Sequence, residues 1–335
     1  MFRTTVYTLI VSIVFAMLAI SVFGPTPIAS AGTGPGLELL PWPDNASAVF
    51  TQTATVYGDT HTKSNKDYFQ LTSLNFDGRY RLSNAAKTPP LTLSSLALGY
   101  DVQYFNINTT ALTLPHHLID ASVAAGEVLY HSSRWRISFV GGAEYSGSSV
   151  GGDPDAYYGR ADLLGQYHID KDRELIVGLD YYGNRLFLPD VPLPIIAYNW
   201  RLNRRLEIFA GVPYVGLKWK PNSRLQMRLF YEIPYSGSAI FKYRLFDHFK
   251  LLVDYADDEN VFHVRGTPNT QRLFFSQQRV EAGVSWRPVR AIRLELTGGY
   301  AFGQEFQSGF DVRKLTTLSQ IAPEPYARID IAFGF

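Results

Sequence analysis

The side chains able to do chemistry in this chain fall two apart in short alternating runs. Arg134 and Arg136 bracket Trp135, and Arg224 and Arg228 lie either side of Gln226. Arg160 and Asp162, Arg279 and Glu281, Arg293 and Glu295, and Arg328 and Asp330 repeat one spacing: a basic residue, a spacer, an acidic residue. Residues two apart in an extended strand point to the same face. Together with Asp180 and Glu207 these side chains would line one polar surface. Such a surface suits the wall of a water-filled pore with a mild preference for anions. A wall cross-linked by ion pairs is the competing reading. The mixed signs favour it, because a selective filter gathers one sign at a constriction.

Other chemistry is thinner. Asp254, Asp257, Asp258 and Glu259 offer oxygen ligands for Ca²⁺ or for a divalent bridge to lipopolysaccharide. Their spacing and glycine content are wrong for an EF-hand, and a solvated rim accounts for them. His116-His117 falls in a connection between strands, and Gly147-Ser148-Ser149 reads as a loop. A barrel hydrolase needs a serine beside a histidine on adjoining strands. The chain contains no Cys, which removes thiolate nucleophiles, disulfides and Cys-built zinc sites. Lys+Arg total 31 against 30 Asp+Glu, so there is no electrostatic case for nucleic acid. No catalytic, cofactor or metal site is expected.

The elements that position these residues are strands. Trp135, Ile137 and Phe139 alternate with Arg134, Arg136 and Ser138, and Leu225, Met227 and Leu229 alternate with Arg224, Gln226 and Arg228. The expected strands are 46–58, 67–82, 91–109, 118–130, 134–147, 157–169, 174–187, 193–202, 205–212, 213–220, 224–233, 238–246, 249–263, 272–287, 291–303 and 325–335. Short and long connections alternate between them, as in barrels with short periplasmic turns and long external loops. Sixteen strands put both ends on the periplasmic side, whereas merging short pairs within 193–246 would lower the count to twelve or fourteen. Pro192, Pro213 and Pro234 recur 21 residues apart, which suggests three similar hairpins with proline at one rim. In the longest loop, 304–324, Val312, Leu315, Leu318 and Ile321 recur every third residue. That spacing predicts a helical turn or two, placed to fold inward and narrow the lumen, to serve as an external lid or to contact a partner.

Two ends of the sequence carry addresses. Residues 1–31 have a basic Arg3, an apolar run from Val6 to Phe23, a Gly24-Pro25 break and Ala29-Ser30-Ala31. These are the parts of a cleaved secretory signal for Sec-type export. Residues 32–45 read as an extended periplasmic lead-in, and 46–335 as the barrel. Trp135, Trp200, Trp219 and Trp286 lie near expected short turns, which would form one interfacial belt. At the other end, Ile329, Ile331, Phe333 and Phe335 share one face of a final alternating strand. This strand resembles the terminal strand of Gram-negative outer-membrane proteins, whose last aromatic and alternating apolar positions are read by the barrel assembly machinery. Roughly residues 190–250, with Pro213-Tyr214 and Lys218-Trp219-Lys220-Pro221-Asn222, resemble families of outer-membrane domains of unknown function more loosely. That likeness implies no activity.

The expected fold is all-β, a transmembrane antiparallel up-and-down barrel of the bacterial outer membrane. Its expected surroundings are outer-membrane lipid and lipopolysaccharide. The expected role is a porin-like passive conduit for small solutes. The alternatives are a non-conducting structural or surface-binding barrel and an outer-membrane lipid-modifying enzyme.

Overall fold

The computed structural model describes residues 48–81, 96–149, 151–232 and 236–334. The expected signal peptide and lead-in, Pro234 and Phe335 lie outside them. The first half of the chain supplies β1 (Ala48–Tyr57), β2 (Thr60–His61), β3 (Tyr68–Arg81), β4 (Ala97–Thr109), β5 (His117–His131), β6 (Trp135–Gly147), β7 (Tyr157–His168), β8 (Arg173–Tyr182) and β9 (Leu193–Asn203). The second half supplies β10 (Leu206–Val212), β11 (Tyr214–Trp219), β12 (Leu225–Glu232), β13 (Ser236–Phe246), β14 (Phe249–His263), β15 (Arg272–Val289), β16 (Ile292–Gly309), β17 (Leu315–Gln320) and β18 (Glu324–Gly334).

The ladder closes on itself. β1 pairs antiparallel with β3 on one side and β18 on the other, and β18 pairs with β16. β2 pairs with β3 and β17 with β16 as short appended strands. The remaining sixteen form a closed antiparallel ring. Closure gives every strand two neighbours and leaves no edge, the condition for a sheet in hydrocarbon. The ring strands match the sixteen alternating segments of the sequence. The 304–324 region departs from expectation. β16 runs on to Gly309, and the three-residue apolar spacing belongs to strand β17 and its flanks, not to a helix.

Alternation is the cause of the wall's two faces. Phe139, Leu163, Leu179, Ile196, Val253 and Leu296 stand exposed on the outside. Their neighbours Val140, Asp162, Asp180, Ile195, Leu252 and Glu295 are buried on the inside. An exposed apolar band over a polar interior is the arrangement lipid requires. Trp135, Trp200, Trp219 and Trp286 are 40%, 43%, 40% and 40% exposed, all near short-turn ends of strands. These short turns are closed by side chains. Asn222 Oδ1 accepts from the Arg224 and Leu225 backbone N–H groups at 2.8 Å, and Asn203 Oδ1 accepts from Arg205 N–H at 2.8 Å.

Wall height is uneven. A tilted strand needs about 9–11 residues to cross a bilayer. β10, β11 and β12 have 7, 6 and 8 residues, whereas β14, β15 and β16 have 15, 18 and 18. The tall strands project beyond the membrane at the long-loop end. The ring also bends sharply at inward-facing glycines. A Cβ on Gly283 would meet Leu296 O at 2.1 Å, and one on Gly299 would meet Val280 O at 2.3 Å. Only glycine fits where the wall folds that tightly.

Candidate functional site

Three kinds of residue meet inside the ring. The first is the charged lining, which most of the sequence-identified candidates share. Arg160 Nε lies 3.6 Å from Asp162, and Arg185 Nη2 lies 2.8 Å from Asp180. Arg328 Nη2 lies 2.7 Å from Glu281, which also accepts from Tyr326 Oη at 2.8 Å and Thr297 Oγ1 at 3.2 Å. Arg293 bridges Glu295 (3.4 Å) and Asp330 (3.1 Å), Lys242 reaches Glu295 at 3.1 Å, and Arg279 pairs with Asp258. Arg228 faces inward opposite Lys218, and Arg136 opposite Gln166. Two candidates lie in turns instead of on the wall. Arg134 is exposed in the connection before β6, and Arg224 in the connection before β12.

Ion pairs do not satisfy the whole lining. Both Asp162 carboxylate oxygens, Asn75 Oδ1, Asp254 Oδ1 and Arg328 Nε are buried with no hydrogen-bond partner. Buried polar groups ordinarily find partners, so the ion pairs alone leave this part of the polar lining unsatisfied. The acidic run is split by alternation. Asp254 and Asp258 lie opposite lumen-facing Glu281 and Gln277, and Asp257 and Glu259 point the other way.

The second kind closes the long-loop mouth, and it was not anticipated. β6 and β14 stand eight strands apart in either direction: β7 to β14 one way, and β5, β4, β3, β1, β18, β16, β15 and β14 the other. They nevertheless touch, with Gly147 and His263 in parallel register. Ser148 N–H donates to His263 O at 3.0 Å, and Ser146 Oγ to Val261 O at 2.8 Å. Asn184 Nδ2 bridges Glu144 (2.9 Å) and Val261 O (3.0 Å), and its Oδ1 accepts from Arg272 at 3.2 Å. Arg272 also donates to Arg185 O (3.0 Å) and, through Nε, to Phe310 O (2.9 Å).

Beside this polar clasp lies an apolar one. Phe105 of β4 meets Phe262 of β14 edge-on at 5.9 Å and Phe275 of β15 at 5.6 Å. Phe69 of β3 meets Phe306 of β16 at 6.0 Å. These rings, with Leu71, Ile107, Leu118 and Ile321, form one buried cluster. The loop after β16 docks on the loop after β8 through Val312 N–H to Leu186 O at 3.1 Å. The sequence did carry a sign of this closure. Val261-Phe262-His263 and Leu273-Phe274-Phe275 are buried at consecutive positions, so alternation stops where both faces are covered. Tyr57, the last residue of β1, points inward and is buried in the same cluster.

The third kind is the histidines and serines that a hydrolase would need. His117 Nδ1 is 2.7 Å from Tyr104 Oη on its own wall. His263, buried in the closure, holds Asp153 at 3.1 Å, and its Nε2 meets no hydrogen-bond partner. Gly147, Ser149 and Gly151 have the Gly-x-Ser-x-Gly spacing within what the sequence reads as a loop. The Ser149 hydroxyl donates to Gly151 O at 3.3 Å, and the serine follows the end of β6 with only a three-residue 3-10 turn, Pro154–Ala156, after it instead of the α-helix of a nucleophile elbow.

No protein-family model matches the chain, and no curated protein matches it. Among solved structures it is similar to an outer membrane channel from Pseudomonas putida F1, at 9% identity over 92% of this chain and 100% of that one, TM-score 0.37. It is also similar to a mutant of the TodX monoaromatic hydrocarbon channel, at 10% identity over 93% and 96%, TM-score 0.39. A third is the NanC porin, at 10% identity over 85% and 100%, TM-score 0.31. Similarity this distant adds nothing beyond barrel architecture, which the ladder itself establishes. With its closed antiparallel ring, lipid-facing apolar band and tryptophan-bearing rim, the chain is a β-barrel of the bacterial outer membrane.

Proposed function

We propose that this barrel is a passive conduit for small polar solutes, held shut at its outer mouth in the state described. One observation carries the reading: a charged, polar wall lies below a closure made from the wall itself. A ring of sixteen strands is wide enough for an aqueous channel, so closing it requires opposite walls to meet. They meet through side chains and a few hydrogen bonds, contacts that can part without breaking the ladder. Opening would extend the polar lining to the outer surface. An enzymatic reading would need a serine at His263 Nε2, and none of the described residues supplies a hydrogen bond there.

The test is single-channel recording of the folded protein in a planar bilayer under a salt gradient. We expect a mostly closed trace with discrete openings and a measurable reversal potential. If neither the native chain nor one with a weakened closure ever conducts, the conduit reading falls and a non-conducting structural barrel replaces it.

A further inference from the structure

The opposite mouth holds a feature that the conduit reading does not use. Between the β11–β12 and β13–β14 turns and the adjoining ends of β12 to β15 lies a cavity of about 400 Å³. Lys220, Arg224, Lys242, Arg244, Lys250 and Arg287 line it, and Asp247 is the single carboxylate among its lining residues. The register explains the concentration. Lys242 and Arg244 alternate with outward-facing Phe241, Tyr243 and Leu245, and Lys250 stands directly across from Arg244 on one side and Ser285 on the other. Three neighbouring strands thus deliver their inward cations to one level.

These cations differ from those of the mid-lumen. Arg160, Arg279, Arg293 and Arg328 each meet a carboxylate. In the cavity only Lys242 does, with Glu295 at 3.1 Å. Lys220, Arg224, Arg244, Lys250 and Arg287 make no ion pair among the described residues. Cations gathered without counter-charges repel one another, and an anion placed between them relieves that repulsion. The remaining lining is mostly polar, including Ser223 and Gln226.

We propose that this vestibule binds a small multivalent anion, a soluble solute bearing phosphate or several carboxylates, arriving from the periplasmic side. Multivalency follows from the excess of unmatched cations over the one acid. Guanidinium forks suit phosphate and carboxylate oxygens. The volume sits at the small end of the range for ligand pockets, about 300–1,000 Å³. A lipid headgroup fits poorly, because the strand-borne cations Lys242, Arg244, Lys250 and Arg287 face the lumen and the lipid side of the same strands carries Phe241, Tyr243, Leu251 and Trp286. As a specificity for the inner mouth, the proposal rests on the conduit reading.

The experiment measures binding instead of conduction, so the two can fail separately. The detergent-folded barrel is titrated calorimetrically with sodium pyrophosphate and with citrate at low ionic strength, and with glucose as a neutral control. Saturable binding of at least one anion, none of glucose, and weakening as salt rises are expected. The double variant Arg244→Gln, Lys250→Gln should weaken binding roughly tenfold, because two nearby charges are lost. Lys63→Gln on the far rim should leave it unchanged. Absence of saturable anion binding, or binding that survives the double variant, overturns the assignment. Tighter binding of a short-chain phosphatidic acid than of pyrophosphate would move the ligand to a lipid headgroup and overturn it too.

Discussion

Phe105 offers the most direct test of the outer closure. It is 3% exposed on β4, and its ring meets Phe262 and Phe275, which belong to strands reached only by crossing the lumen or passing around the ring. Phe105→Ala removes both edge-to-face contacts, each contributing about 0.5–1.5 kcal/mol, so the loss across the mouth is at least about 1–3 kcal/mol. Full truncation of a buried Phe costs about 3–5 kcal/mol, which sets the upper limit. The backbone ladder of β3, β4 and β5 does not involve this ring, so the loss falls on the closed state and not on barrel assembly. At about 1.4 kcal/mol per decade, bounds of about 1 and about 5 kcal/mol mean the open population should rise by between about fivefold and a few thousandfold. The assay is open probability in a planar bilayer, run beside heat-modifiability on a gel to show that the variant is folded. A folded Phe105→Ala barrel with native open probability would refute the claim that this aromatic contact holds the mouth shut.

Three further outcomes are expected. Gly283→Val would drive a Cβ into Leu296 O and Thr297 at 2.1–2.7 Å, whereas the nearest atom to a Cβ on Gly298 is Tyr326 O at 3.8 Å. Refolding yield should therefore collapse for the first and hold for Gly298→Val, with overpacking costs of about 1–3 kcal/mol or more. Arg328→Gln leaves Glu281, buried with Tyr326 and Thr297, without its cation. The heat-modifiability midpoint should drop, by an amount bounded by the about 3–5 kcal/mol of a broken buried pair. In the outer loop, a hydrogen bond from Arg313 holds the Asp311 carboxyl below its ordinary value of 3.8. A depressed carboxylate stabilises the fold above the unfolded pKa and loses that contribution as pH falls through the folded one. Pepsin cleavage at Phe310, normalised at each pH to cleavage of an unstructured peptide of the same local sequence, should thus stay slow near pH 4 and accelerate only as pH falls well below 3.8.

Much of the fold was legible because lipid and water impose a period of two. Each strand has one apolar and one polar face, and the sixteen alternating segments fall on the sixteen ring strands. Turn residues such as Asn203 and Asn222 were equally readable, because their side chains satisfy backbone groups a few residues away. The 304–324 segment misled through its three-residue spacing. Pairing with β16 made it a strand, and Ile321 was buried by contacts from distant parts of the ring. Arg134 was assigned to the wall from alternation alone, but the strand begins one residue later.

The sequence by itself determined the strands, their faces and the polar character of the lumen, because those depend on neighbours two residues apart. It also held the local sign of the closure, consecutive apolar residues at the tips of β14 and β15. It could not say what would cover them. The pairing of Glu281 with Arg328, the meeting of β6 with β14 and the collection of unmatched cations at the inner mouth all join residues far apart in the chain. Those relations are set by ring closure, shear and flattening of the wall, and only the tertiary structure decided them.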